Sequence, residues 1–377
     1  MTRILTVIGA RPQFIKASVV SRAIQAADGI EEILLHTGQH FDANMSAVFF
    51  DQLGIQRPDV QLDIHGGSHG VMTGRMLAEI EAVILREKPD RVMVYGDTNS
   101  TLAGALAAAK LHVPVAHVEA GLRSFNMHMP EEVNRILTDQ ISDQLFCPTD
   151  TAVRNLEAEG FRNKPVRILQ VGDVMQDAAM FFARHAVAPH ELPPEMLATE
   201  GHGRSRTKGE GNPSFVLATL HRAENTDDSE RLTEIVNALN AIHRALAPVV
   251  LPLHPRTRAA IERAGLILQT YTINPVGYFE MLWLLQHCGL VLTDSGGLQK
   301  EAFFFGKPCV TLRDQTEWVE LVEAGVNELV GADQARIEQA AASHFGRTVQ
   351  DHAELYGGGK AAERIVTHLQ RDGDGRG

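Results

Sequence analysis

The chain has 377 residues, 44% of them apolar and 6% aromatic, and a formal net charge of −12. That length exceeds one typical domain and suits two, while the acidic balance gives a nucleic-acid partner no support and leaves any anionic ligand to local Arg and Lys. Three widely spaced cysteines (Cys147, Cys288, Cys309) make no metal pattern and suit reduced, buried thiols of a cytosolic protein; no apolar run reaches membrane-spanning length, and the N-terminus has no signal-peptide shape.

Short apolar runs alternate with helical patterns throughout, the signature of βα repeats. Residues 4–8 predict a strand, followed by Gly9-Ala10-Arg11-Pro12 and a helix from about residue 14. The turn is not a GxGxxG, so the dinucleotide fingerprint is absent. It still sets Arg11 and Lys16 at a strand end and helix start, where anions bind well; two solvated cations beside a tight turn are the plain alternative. A strand over 32–36 ends in Thr37-Gly38-Gln39-His40. A helix over 72–85 leads to a strand over 91–95, then Gly96-Asp97-Thr98 and an Ala-rich helix over 102–110. Asp97 either caps that helix or, with Thr98 or Asn99 capping instead, is free to face a cleft.

A strand over 113–118 feeds the stretch richest in chemistry, HVEAGLRSFNMHMPEEVNR from His117 to Arg135. Glu119 lies just past the strand, where an open α/β sheet presents ligand-binding groups. Pro130 opens a helix. Glu131 and Arg135 are spaced i,i+4 on it, so both can face one pocket; an ordinary helix ion pair beside a surface loop is the competing reading. Strands over 145–147 and 167–171 close the first half.

Near Gly172-Asp173 the character changes. A helix runs from 174 to about 185, and residues 190–213, rich in Pro, Gly and mixed charge, read as a loop or poorly ordered surface segment. A second series places strands over 215–219, 249–253, 266–268, 290–293, 309–312 and 328–330, a helix over 334–345 and, behind Gly357-Gly358-Gly359, an amphipathic helix over 361–369. In it, His221 follows a strand beside Arg222 and Glu224 and is suited to proton transfer or phosphate contact. His254-Pro255 repeats the placement as a turn with a hydrogen-bonded imidazole. Asp294-Ser295-Gly296-Gly297 starts a helix, where two glycines let backbone N–H groups approach a diphosphate; Glu301 falls one turn later, placed to accept from ribose hydroxyls. A merely capped helix start is the alternative. Arg313 to Trp318 lines the same cleft. Two consecutive α/β halves, 1–173 and 174–357, predict two doubly wound domains with a ligand in the cleft between them.

The segments GARPQFIK, TGQH, GDT, HVEAGLR, PEEVNR, HRAEN, DSGG and the Glu of QKEA stand in this order over nearly the whole chain. Together they resemble the non-hydrolysing UDP-N-acetylglucosamine 2-epimerase family. The resemblance implies a GT-B-like fold of two Rossmann-like domains, an active site in the interdomain cleft, and a C-terminal helix, 358–371, crossing back to the first domain. It implies a UDP-sugar substrate, no cofactor, no metal, no membrane partner, and a cytoplasmic homodimer. Carried over residue by residue, Asp97, Glu119, Glu131 and His221 form the catalytic set. Arg11, Gln13, Lys16, Arg123, Arg135, Val276, Met281, Ser295, Gly296, Gly297, Glu301 and Arg313 contact substrate. The activity implied is elimination of UDP to a glycal and re-addition to the opposite face.

Stretches such as GARPQFIKASVV, LDIHGGSHG and FFFGKPCVTLRDQTEWVELVE are most similar to the branch acting on UDP-2,3-diacetamido-2,3-dideoxyglucuronate, a precursor of bacterial O-antigen and related glycans. Departures from the ordinary UDP-N-acetylglucosamine enzymes point the same way. Gln13 stands where those have Glu, which would ease a substrate carboxylate; two like charges at about 4 Å cost about 4 kcal/mol at an effective dielectric near 20. The loop between Arg123 and Pro130 is shorter. Phe41 in place of Arg puts the allosteric UDP-N-acetylglucosamine binding of bacterial members in doubt. Ala223, and Trp318 in place of Arg, point to altered sugar or nucleotide contacts. The competing readings are a UDP-N-acetylglucosamine 2-epimerase, a hydrolysing epimerase, a GT-B glycosyltransferase, which would leave the carboxylates of the first half unexplained, and a silent sugar-nucleotide sensor, which would lack one of the four catalytic residues.

Overall fold

The computed structural model describes residues 1–39, 57–197, 215–350 and 354–373. They fall into two compact units, Met1–Phe181 with Glu354–Gly377, and Phe182–Ala353.

In the first unit, β1 (Thr2–Ile8), α1 (Arg11–Gln25), β2 (Ile30–His36), β3 (Val60–Gln61), α2 (His69–Glu87), β4 (Arg91–Tyr95), α3 (Asn99–Lys110), β5 (Val115–Val118), α4 (Pro130–Gln140), β6 (Gln144–Cys147), α5 (Asp150–Ala158), β7 (Arg167–Gln170) and α6 (Val174–Phe182) follow in order. The strands form a parallel seven-stranded sheet, β3-β2-β1-β4-β5-β6-β7. Continuous rather than alternating apolar runs produce it: every residue of β4, β5 and β6 is buried, as a sheet covered on both faces requires. β1 pairs with both β2 and β4, so the strand order reverses there and a crevice opens at the carboxyl ends. The Ala-rich α3 lies close on this sheet; a Cβ on Gly104 would stand 3.2 Å from Val7 and Val94. The last helix, α15 (Ala361–Gly373), packs on α1. Its first turn is capped by Asp177, which accepts from the N–H groups of Ala361 (3.1 Å) and Ala362 (2.8 Å).

In the second unit, α7 (Pro194–Leu197), β8 (Val216–Thr219), α8 (Ala223–Thr226), α9 (Ser229–Ala245), β9 (Val249–Pro252), α10 (Pro255–Arg263), β10 (Tyr271–Ile273), α11 (Tyr278–His287), β11 (Leu290–Thr293), α12 (Gly296–Phe304), β12 (Cys309–Thr311), α13 (Val319–Glu323), β13 (Asn327–Leu329) and α14 (Gln334–His344) alternate. The parallel sheet runs β10-β9-β8-β11-β12-β13, reversing at β8/β11.

Three expectations shift. The strand read over 266–268 lies instead at Tyr271–Ile273. The apolar run Leu266-Ile267-Leu268 closes α10: Gly265 turns left-handed (φ +65), Leu266 N donates to Ile261 O, and Ile267 is 75% exposed with its carbonyl held by Asn240. The loop read over 190–213 begins with ordered structure, since Leu192 and Met196 are buried around α7; 198–214 lie outside the described residues, as do His40 and Phe41. The first helix starts at Arg11 rather than near residue 14, because Pro12 suits a first turn. All three cysteines are free and buried, and burial pushes their thiols up, Cys288 and Cys309 to about 12.

Candidate active site

At the reversal point of the first sheet, the turns after β4 and β5 and the first turns of α1 and α4 bring charge together. Thr98 caps α3 by accepting from Thr101 N (3.2 Å), which leaves the Asp97 side chain available. Its carboxylate pairs with Arg135, and Asn134 holds its backbone carbonyl at 2.9 Å. Burial raises the Asp97 pKa; Arg135 and Lys16 oppose this and Glu119 adds to it. Glu119 pairs with Lys16 and sits in the left-handed region at φ +72, uncommon for a residue with a side chain. Asp97, Glu119, Lys16 and Arg135 therefore form one alternating cluster. Arg11 opens α1, half-buried.

The partner of Arg135 on its own helix is Glu132 (3.2 Å, i,i+3) and not Glu131. Glu131 is exposed, while Glu132 is buried and also accepts from Ser124 N, Ser124 Oγ and Phe125 N, each at 2.9 Å. Glu132 thus anchors the loop ahead of Pro130, and the adjacent Glu131 faces water.

Two expected substrate contacts are committed elsewhere. The Gln13 side chain is buried. Its Oε1 accepts from Gly9 N (2.8 Å) and Ala10 N (3.0 Å), and its Nε2 donates to Tyr95 O (2.7 Å) and Thr101 Oγ1 (2.9 Å). Every polar site of the amide is filled, so Gln13 closes the capping box of α1 and has no capacity left for a sugar. Arg123, with a side chain 1% exposed, forks onto Glu159 (2.6 and 2.7 Å) and also donates to Asp139 (2.7 Å) and Leu122 O (2.7 Å). It is an internal clamp.

The second cluster lies at the β8/β11 reversal. Asp294, wholly buried, accepts from His221 N (3.0 Å), Arg222 N (2.8 Å) and Asn225 Nδ2 (3.3 Å), and faces His221 Nδ1 at 3.3 Å. This carboxylate orients an imidazole that is 46% exposed. Burial lowers the His221 pKa, Asp294 opposes, and Arg222 and His254 add to the lowering. His254 itself caps α10 through Arg256 N.

Ser295 is the N-cap of α12 but makes no side-chain cap bond, so its hydroxyl leaves the first-turn N–H groups, with the helix dipole behind them, uncapped. Gly296 is required internally: a Cβ there would collide with Glu317 Oε1, whereas a Cβ on Gly297 would meet nothing within 4 Å. Trp318 is buried, donates its indole N–H to Gly296 O (2.9 Å) and lies under Lys300 Nζ (4.0 Å). It shapes the helix start rather than facing a ligand. Arg313 is held by Glu224 (3.2 Å) and Glu317 (2.9 Å). Glu301 is half-buried one turn into α12. Val276 and Met281 flank the start of α11, partly buried against the sheet.

Glu132, His117 and Asp294 lie in the stretches that sequence reasoning marked but received no role there, and Asp139, just past the PEEVNR segment, was not singled out. A signal existed for Asp294, which heads the DSGG segment.

The profile described as UDP-N-acetylglucosamine 2-epimerase matches residues 22–370. The chain is 66% identical, over 98% of its length and 99% of the relative's, to the UDP-2,3-diacetamido-2,3-dideoxy-D-glucuronate 2-epimerase of Pseudomonas aeruginosa. It is 33% identical to the UDP-N-acetylglucosamine 2-epimerase of Escherichia coli K12, over 98% of this chain and 99% of that one. Among solved structures, the UDP-GlcNAc 2-epimerase of Methanocaldococcus jannaschii in complex with UDP-GlcNAc and UDP superposes with a TM-score of 0.81 at 40% identity, covering 98% of this chain and 100% of that one.

Proposed function

The chain belongs to the UDP-N-acetylglucosamine 2-epimerase family, with the GT-B-like fold of two Rossmann-like domains, and on that premise we propose that it inverts C2 of UDP-2,3-diacetamido-2,3-dideoxy-α-D-glucuronate to the manno epimer. The 66% identity to an epimerase of that name, sustained over nearly the whole of both chains, carries the substrate choice.

No carbonyl activates the C2–H bond, so the reaction runs by anti elimination. Cleavage of C1–O builds positive charge at C1 and acidifies C2–H. The C2–H electron pair becomes the C1–C2 double bond as the C1–O pair departs with UDP. Return of the UDP oxygen to C1 and of a proton to the opposite face of C2 completes the cycle with nothing consumed. Asp97, Glu119 and Glu131 provide the proton acceptor and donor, with Arg135 balancing the charge of Asp97 and Lys16 that of Glu119. The raised pKa of Asp97, caused by its burial, supports a carboxyl group that takes up a proton more readily than an ordinary aspartate. His221, oriented by Asp294, together with Arg11 and the Ser295–Gly297 turn, stabilises the departing diphosphate. The same reading makes the protein a cytoplasmic homodimer supplying precursors for O-antigen or related surface glycans.

The second reading, a UDP-N-acetylglucosamine 2-epimerase, is favoured by the 40% identical structure holding UDP-GlcNAc. Purified protein given the uronate and UDP-N-acetylglucosamine in parallel, followed by NMR in heavy water, separates the two. Conversion of the uronate alone, with deuterium at C2 and traces of UDP and glycal, is the expected result. Conversion of UDP-N-acetylglucosamine alone would replace the substrate, and epimerisation without solvent exchange would sink the elimination.

A further inference from the structure

A buried chain of charges in the first unit has no part in the reading above. His117, on β5, is wholly buried. Its Nε2 faces Gly96 O at 2.7 Å and its Nδ1 faces Asp139 Oδ1 at 2.7 Å. A carbonyl only accepts, so Nε2 carries a hydrogen and donates to Gly96. Asp139, on α4, is wholly buried too; its other oxygen accepts from Arg123 Nη1 (2.7 Å) and Gly121 N (3.2 Å). Arg123 passes the chain to Glu159, whose side chain is 30% exposed.

The ends of this chain grip two particular turns. The Gly96 carbonyl immediately precedes Asp97, and the Gly121 N–H follows Glu119 by two residues. Both turns use left-handed backbone, with φ +63 at Gly96, +72 at Glu119 and +80 at Gly121. They also abut: a Cβ on Gly96 would lie 3.3 Å from Glu119 Oε2 and 3.5 Å from Lys16 Nζ. A rotation of the Gly96 peptide therefore moves Asp97 relative to Glu119. Packing alone does not explain the chain, because a well-packed apolar pair would fill the same volume without desolvating ionisable groups. An apolar pair cannot hold a carbonyl and an amide N–H at fixed positions.

We propose that His117 and Asp139 are positioning residues that set the separation of Asp97 and Glu119 for C2 proton transfer without touching the substrate. The inference rests on the epimerase reading.

Its test compares H117F, H117Q and D139N with wild type for kcat, KM and calorimetric UDP affinity, and adds the crystal structure of H117F. Displacing a reacting group by about 1 Å costs about 10²-fold. H117F is therefore expected to lose about 100-fold in kcat, with KM and UDP affinity within about threefold. H117Q, whose amide nitrogen can take the place of Nε2, is expected to recover about tenfold of that loss. In the H117F structure, the Gly96 peptide turns and the Asp97 carboxylate shifts from Glu119 by about 1 Å. Should H117F fail to fold, D139N carries the kinetic test, with a kcat loss of about tenfold or more at unchanged KM.

Full kcat in H117F, equal losses in H117F and H117Q, or a fall in UDP affinity parallel to kcat would each overturn the proposal. So would an H117F structure with the two carboxylates in their original places, whatever the substrate. Wild type active only on UDP-N-acetylglucosamine would refute the uronate reading and leave the same comparison to be run on that sugar.

Discussion

The two charged clusters are built on opposite plans. In the first unit, cation and carboxylate are already matched: Lys16 with Glu119, Arg135 with Asp97 and Glu132, and Arg123 with Asp139 and Glu159. In the second, Asp294 is saturated and points a half-exposed His221 outward, while the α12 start keeps backbone donors beside an open space at Gly297. The difference follows from what each can hold without a ligand. An isolated charge in a buried site carries a large desolvation cost, so the buried carboxylates of the first unit are held with partners. A helix start presents only partial charges and can wait open.

The contrast is most directly broken at the arginines. Arg123→Met leaves Asp139 buried with one cation fewer and should destabilise by about 3–5 kcal/mol. Arg313→Met leaves Glu224 and Glu317, both in contact with water, and should cost about 1–3 kcal/mol. Urea unfolding of both variants checks this; equal losses would erase the distinction.

A titratable group without a charge partner among the described residues sharpens the first half of the comparison. Burial lowers the His36 pKa from 6.5 to about 4. Between those values the unfolded chain binds a proton that the folded chain refuses, so stability falls as pH drops from about 6.5 to about 4, by about 3 kcal/mol in total. His36→Gln should flatten that part of the profile. A pH dependence parallel to wild type would show that other groups govern it.

The second half is sharpened by its two glycines. Gly297→Ala should fold as well as wild type, or better by up to about 1 kcal/mol, because alanine favours a helix, yet bind UDP about tenfold more weakly if a diphosphate approaches that backbone. Gly296→Ala should lose stability, by about 1–3 kcal/mol, since Glu317 must leave Arg313. Calorimetry with UDP and thermal melts of both separate the effects; unchanged UDP binding in Gly297→Ala would remove the helix start from the ligand site. The smallest effect is expected at Tyr278, whose buried hydroxyl has no hydrogen-bond partner among the described residues. Tyr278→Phe should raise stability by about 0.5–1 kcal/mol, and a lower melting temperature would reveal an unrecognised partner.

Much of this architecture was legible beforehand. Continuous runs such as Arg91–Tyr95 and Leu290–Thr293 announced buried parallel strands, and their carboxyl ends located Asp97, Glu119, His221 and Ser295. Thr98 as the cap was among the sequence alternatives, and the structure selected it. The reading of 266–268 as a strand failed because three apolar residues suit a helix stop as well as a strand, and only the packing of Leu266 and Leu268 distinguishes them.

By itself the sequence determined the fold class, the family and the turns that carry the charged residues, because strand runs, turn glycines and motif order are local or linear properties. Only the tertiary structure decided which charges face which. Glu131 and Glu132 are adjacent and chemically alike, and the phase of α4 against the 124–125 loop turned Glu132 inward. Gln13 and Arg123 read as ligand contacts until Tyr95, Thr101, Asp139 and Glu159, distant in sequence, were found to occupy them. A side chain's capacity for a ligand is what remains after its neighbours are satisfied, and those neighbours are set by the packing of the whole sheet.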